Sequence, residues 1–154
     1  VSTNAPSIGI DIERIRPIED DFSAYALTKP EAATVHTTRK DQRDRAFFHH
    51  WTGKEAFLKG PGEGLWQSLE TFDVVPDIPA TIPTSATRPV LREADLPRID
   101  DHAQREQGWR LFTFDIGPEF VGALAVLAGH DRGREIIVRS RFLSRPSAPV
   151  RKPR

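Results

Sequence analysis

The run FFHHWTGKEAFLK, Phe47 to Lys59, constrains the fold most, because its apolar residues recur at helical spacing and it is closed by Gly60 and Pro61. Phe47, Phe48, Trp51, Phe57 and Leu58 form the apolar surface of a long amphipathic helix that begins near Thr38 or Asp41. Gly60 supplies a C-terminal stop, and Pro61 prevents continuation. Gly53 inside the helix costs about 1 kcal/mol relative to alanine, which points to a close backbone approach there. After the helix, Gly62 to Leu65, GEGL, reads as a glycine-spaced loop.

The surface for this helix to lie on comes from the strand-like segments. Ser7 to Ile15 alternates Ile8, Ile10 and Ile12 with Gly9, Asp11 and Glu13, the period-2 pattern of a half-buried strand. Asp20 to Leu27 reads as a short helix. Thr28 to Glu31 fits a capping box, with Pro30 early in a helix that runs to about His36. Leu69 to Val75 alternates as a strand, Pro76 to Pro89 is a proline-rich connection, Val90 to Glu93 suits a brief strand, and Ala94 to Gln107 is polar and ambiguous. Trp109 to Ile116 and Glu119 to Leu127 are two strands joined at Gly117 and Pro118 as a hairpin. This order predicts an α+β fold in which an antiparallel sheet packs against the long helix.

A chain of 154 residues suits one domain, here residues 1–131, followed by a basic tail over 132–154 expected to be disordered. Through Asp131 there are 14 Lys and Arg against 21 Asp and Glu; from Arg132 onward there are 8 against 1. A basic tail attracts nucleic acid or an acidic protein, or is simply a solvated end. No stretch approaches the roughly 20 apolar residues that span a bilayer. The absence of cysteine and of a signal-like start makes a cytoplasmic setting the expectation. A chain without methionine that begins at Val1, close to a strand, is expected to be a piece of a longer protein.

Asp11, Glu13 and Glu55 together offer three hard oxygen ligands of the kind Mg²⁺ takes while it keeps waters and binds substrate phosphates. Lys59, at i+4 from Glu55, shares its helix face and can neutralise a bound phosphate. The combination suggests a clamp for a diphosphate. Taken separately, the strand acids are compatible with a solvated face, and Glu55 with Lys59 is compatible with a surface ion pair worth a few tenths of a kcal/mol. His49 and His50 are adjacent, so on a helix they point about 100° apart and cannot share a metal; they read as structural or surface residues. His36, His102 and His130 have no partner at a telling distance. Phe48 and Trp51 suit core anchors better than an adenine platform.

GIDIE at Gly9 to Glu13, then WTGKEAFLK at Trp51 to Lys59 and GEGL at Gly62 to Leu65, resembles the 4'-phosphopantetheinyl transferases. The wording FFHHWTGKEA is nearer the surfactin-synthetase-activating type than the small holo-acyl-carrier-protein synthases, and the resemblance covers roughly residues 7 to 127. It implies transfer of phosphopantetheine from coenzyme A to a serine of an acyl or peptidyl carrier protein, with release of adenosine 3',5'-bisphosphate. It further implies Asp11, Glu13 and Glu55 as magnesium ligands and Glu55 as an aid to deprotonating the serine. Lys59 becomes a coenzyme A phosphate contact that assists the leaving group, and Lys54 a second phosphate contact. Arg39, Lys40, Arg43 and Arg45 become a surface for an acidic carrier protein, or merely a solvated helix start. Members of that type are built from two similar halves with coenzyme A between them, and this chain begins where the second half begins. The other half is then expected from a homo-oligomer, or the chain is a truncated domain that binds carrier protein or serves association without catalysis. A different metal-dependent phosphotransferase or nuclease would use the same carboxylates, but a nuclease calls for a basic groove with aromatics.

Overall fold

In the computed structural model, the described residues are 7–18, 25–61, 69, 72–82, 84, 89–99 and 108–128. Strand β1 (Ile8–Arg14) is followed by helix α1 (Lys29–Thr37), a 3₁₀ turn (Lys40–Gln42) and the long helix α2 (Arg43–Lys59). Strands β2 (Phe72–Val75), β3 (Arg92–Ile99), β4 (Trp109–Ile116) and β5 (Phe120–Leu127) complete the order. The strands form one sheet in the order β1-β5-β4-β3-β2, and every neighbouring pair is antiparallel. This is the expected α+β arrangement, with α2 laid mainly across β1 and β5.

Local chemistry accounts for most boundaries. Thr28 caps α1 with its side chain while Glu31 reaches back to the Thr28 N–H at 2.8 Å, so the capping box is present. Helix α2 starts at Arg43, later than Thr38 or Asp41, because the preceding residues take the tighter 3₁₀ turn. It ends at Lys59 as expected, but Gly60 is not a left-handed cap: its φ is −60°. Glycine is needed there because a Cβ would come within 2.6 Å of the Trp109 ring. The hairpin of β4 and β5 turns through three residues, with Gly117 at φ 66°, a conformation that suits glycine.

Strand β3 departs from the sequence reading. Its first residues pair with β4 and its later ones with β2, and the register shifts between Asp73 and Val75, where Val74 of β2 stands opposite two residues of β3, Leu96 and Pro97. Pro97 falls within that irregularity, and a residue without an N–H is tolerated in a sheet at such a bulge. Strand β2 is shorter than Leu69 to Val75. Of the short helix expected over Asp20 to Leu27, residues 20–24 lie outside the described ones. So do the GEGL loop and the basic run from Arg132.

Helix α2 is buried on nearly every side, which an amphipathic helix on one sheet would not be. Phe47, Phe48 and Phe57 sit in the core with Phe72, and Trp51 stacks on Phe47 at 6.4 Å. Each of these four phenylalanines, fully buried, contributes about 1.5–3 kcal/mol. Arg45, His49, His50 and Lys54 of α2 are buried too, each with a partner distant in sequence. Arg45 and His49 both meet the Asp115 carboxylate, which also takes Arg92, while Arg45 reaches the Pro118 carbonyl at the hairpin turn. Burial pushes the Asp115 carboxyl up, but His49, Arg92 and Arg45 outweigh it and hold it below its ordinary value. Arg45 is therefore a core cation and not part of a docking surface, a correction to the basic-run expectation. Arg39 pairs with Asp41 at the surface, and Lys40 is exposed.

His50 lies buried with Nδ1 2.9 Å from the Val74 carbonyl oxygen. Burial, helped by the nearby Lys54 and His49 charges, lowers its pKa to about 4 from the usual 6.5, against the opposing pull of Val74 and Asp73. Between those values the unfolded chain binds a proton that the folded chain refuses, so folding stability is full above about pH 6.5 and falls as pH drops toward 4. A loss of about 3 kcal/mol across this window is expected from His50. Urea midpoints of the wild type and of His50→Gln at pH 7 and pH 4.5 check it; an equal pH slope in both would contradict the assignment.

Candidate active site

Strand β1 and helix α2 meet at Gly9. A Cβ built on Gly9 would lie 2.0 Å from the Ala56 carbonyl oxygen and 2.5 Å from the Gly60 nitrogen, so the two backbones touch where any side chain would separate them. A glycine inside a strand is the usual mark of such an approach. It fixes which face of β1 is inward. Asp11 and Glu13 do point the same way, as the alternation requires, and that way is toward α2. Ile8, Ile10 and Ile12 are the outward face, at 41%, 53% and 48% exposure. Asp11 therefore does not face water alone.

The contact brings four of the sequence-predicted residues together. Glu55 and Lys59, one turn apart on α2, face Asp11 and Glu13. The Lys59 Nζ donates to Asp11 Oδ1 at 2.6 Å and lies 3.8 Å from Glu55 Oε2. Glu13 Oε2 accepts from Arg16 Nη1 at 3.1 Å. Asp11 is only 10% exposed at its side chain, and its Oδ2 is buried without a hydrogen-bond partner. Burial raises the Glu55 pKa above its ordinary value; Lys59 opposes this, and Asp11 and Glu13 add to it. The hydrogen bond to Asp11 raises the Lys59 pKa despite some burial, with further support from the Asp11, Glu55 and Glu13 charges.

Lys54 is not in this group. Its ammonium is fully buried on the other side of α2, 2.8 Å from Glu31 Oε2, and donates to the Phe72 carbonyl at 3.0 Å and to that of Leu69. Glu31 in turn accepts from the Val74 N–H at 2.8 Å. The pair ties α1, α2 and β2 together, so the structure withdraws Lys54 from the role of phosphate contact. A buried ammonium is expensive unless paired and hydrogen-bonded, and here it is both. The pairing of Glu31 with Lys54, the role of Asp115 and the clamping role of Gly9 were missed from sequence. Only Gly9 carried a usable signal, as a glycine within an alternating strand.

The donor set suits a hard divalent cation. The oxygens of Asp11, Glu13 and Glu55 are of the right type, and the unpartnered, buried Asp11 Oδ2 is an acceptor still to be satisfied. Among the described residues, no three such ligands converge closely enough to hold an ion as they stand. Lys59 supplies the positive charge at Asp11.

A family model described as the 4'-phosphopantetheinyl transferase superfamily matches residues 7–105. The chain is 37% identical over 67 residues to the 4'-phosphopantetheinyl transferase Sfp of Bacillus subtilis (strain 168), a stretch that is 44% of this chain and 30% of that protein. It is 33% identical over 82 residues to the 4'-phosphopantetheinyl transferase HetI of Nostoc sp., 51% of this chain and 34% of that one. Among solved structures, the holo-[acyl-carrier-protein] synthase of Thermotoga maritima superposes with a TM-score of 0.49 at 18% identity, covering 82% of this chain and 65% of that chain. The matched stretches thus span about a third of the length of these curated relatives.

Proposed function

The chain belongs to the 4'-phosphopantetheinyl transferase superfamily, and from that premise we propose that it moves 4'-phosphopantetheine from coenzyme A to a serine of an acyl or peptidyl carrier protein in a Mg²⁺-dependent reaction. The observation that carries this reading is the meeting of Asp11 and Glu13 on β1 with Glu55 and Lys59 on α2 across the Gly9 contact. Asp11, Glu13 and Glu55 would hold the magnesium, which when bound draws charge from the diphosphate oxygens. Lys59 binds and neutralises the diphosphate, and its ammonium stabilises the oxygen that leaves with adenosine 3',5'-bisphosphate. Glu55 takes the proton of the incoming serine hydroxyl, directly or through a water. Arg39, Lys40 and Arg43 are the basic residues left to meet an acidic carrier protein.

A second reading is favoured by the limited span of the matches. Here the chain is an inactive truncated domain that binds carrier protein or serves oligomerisation. The outward isoleucines of the edge strand β1 suit such association. Titration calorimetry separates the two readings. Coenzyme A is expected to bind the chain when Mg²⁺ is present and to lose that dependence in Glu55→Gln. No binding by the wild type with Mg²⁺ would favour the second reading.

A further inference from the structure

Lys59 and a divalent cation make claims on the same carboxylate. The Lys59 ammonium sits 2.6 Å from Asp11 Oδ1 and 3.8 Å from Glu55 Oε2, while Asp11 Oδ2 is buried and unpartnered. Glu13, by contrast, already has Arg16. The two partners also differ in freedom. Asp11 is on a strand clamped to α2 at Gly9 and its side chain is 10% exposed, whereas the Lys59 side chain is 49% exposed at the last residue of α2. A long, half-exposed side chain can leave; a clamped carboxylate cannot follow it.

We propose that Lys59 is a built-in counter-ion that a divalent cation displaces from Asp11, so that binding of the cation releases the ammonium for an anionic ligand. This rests on the reading of Asp11, Glu13 and Glu55 as cation ligands. Without the cation, Lys59 neutralises Asp11 and spares the cluster the repulsion of three carboxylates. When the cation binds, that duty passes to it, and the free ammonium stays beside the cluster, where a diphosphate would lie. Cation binding and anion binding are then linked through one side chain, because each relieves Lys59 of the contact that opposes the other.

Mn²⁺ titrated alone, followed by electron paramagnetic resonance, tests the exchange without any turnover. Lys59→Met is expected to bind Mn²⁺ roughly tenfold more tightly than the wild type, the scale of one charge-assisted hydrogen bond no longer broken. Lys59→Arg, which keeps a cation against Asp11, is expected to bind no more tightly than the wild type. In the wild type, the Lys59 ¹⁵Nζ resonance is expected to shift when Mg²⁺ saturates the site, a direct report of the lost contact. Wild type and Lys59→Met with equal Mn²⁺ affinity, or an unmoved Nζ resonance with Mg²⁺ bound, would overturn the exchange while leaving the cation ligands in place. Failure of all three proteins to bind Mn²⁺ would overturn the ligand reading itself.

Discussion

Gly9→Ala is expected to destabilise the fold by about 3 kcal/mol or more, the upper end for overpacking, because the obstacle is backbone on both sides. The added Cβ would sit 2.0 Å from the Ala56 carbonyl oxygen and 2.5 Å from the Gly60 nitrogen. Neither can turn aside as a side chain would: Ala56 is inside α2, and Gly60 is itself pinned beneath the Trp109 ring. Relief requires β1 to move away from α2, which parts Asp11 and Glu13 from Glu55 and Lys59. Urea denaturation of the variant reads the cost, and loss of the site should accompany it even where the variant still folds in the cold. A change below about 1 kcal/mol would mean that the two backbones are not in contact.

Asp11→Asn and Glu55→Gln are expected to lower carrier-protein loading roughly a hundredfold or more while leaving the fold intact. Loss of a partner that merely orients a metal ligand already costs 10- to 100-fold, and these residues would be ligands themselves. Each substitution removes one negative charge and changes little in shape. Burial and like charges already make the ionised form of Glu55 less favourable than usual, so stability has little to lose from its neutral amide. Loss of activity with retained stability is the mark of residues kept for chemistry.

The long helix, the capping box at Thr28 and the terminal hairpin were legible because each has a periodicity or a turn residue that local physics reads directly. The polarity of β1 was half legible. Alternation told which residues share a face, but isoleucines against acids argued for the acids outside, and only the missing Cβ of Gly9 lets the acidic face approach the helix. Strand β3 was obscured by its polar residues and by Pro97, which sits where the pairing is already irregular. Lys54 and Arg45 were misplaced for one reason: cations are normally exposed, and the carboxylates that bury them, Glu31 and Asp115, are joined to them only by the fold. Lys59 meets Asp11 and Glu55 across the contact of β1 with α2, which neither motif's spacing could reveal alone, because the two motifs are joined only by the fold.

The most direct measurement is the loading of an apo carrier protein from coenzyme A by the wild type, Asp11→Asn and Glu55→Gln, with and without Mg²⁺, each variant checked by circular dichroism. Carrier serine modified by the wild type only when Mg²⁺ is present, and by neither folded variant, is the result predicted. Loading that persists in a folded Asp11→Asn or Glu55→Gln chain at the wild-type rate would contradict the claim that these carboxylates form the active site.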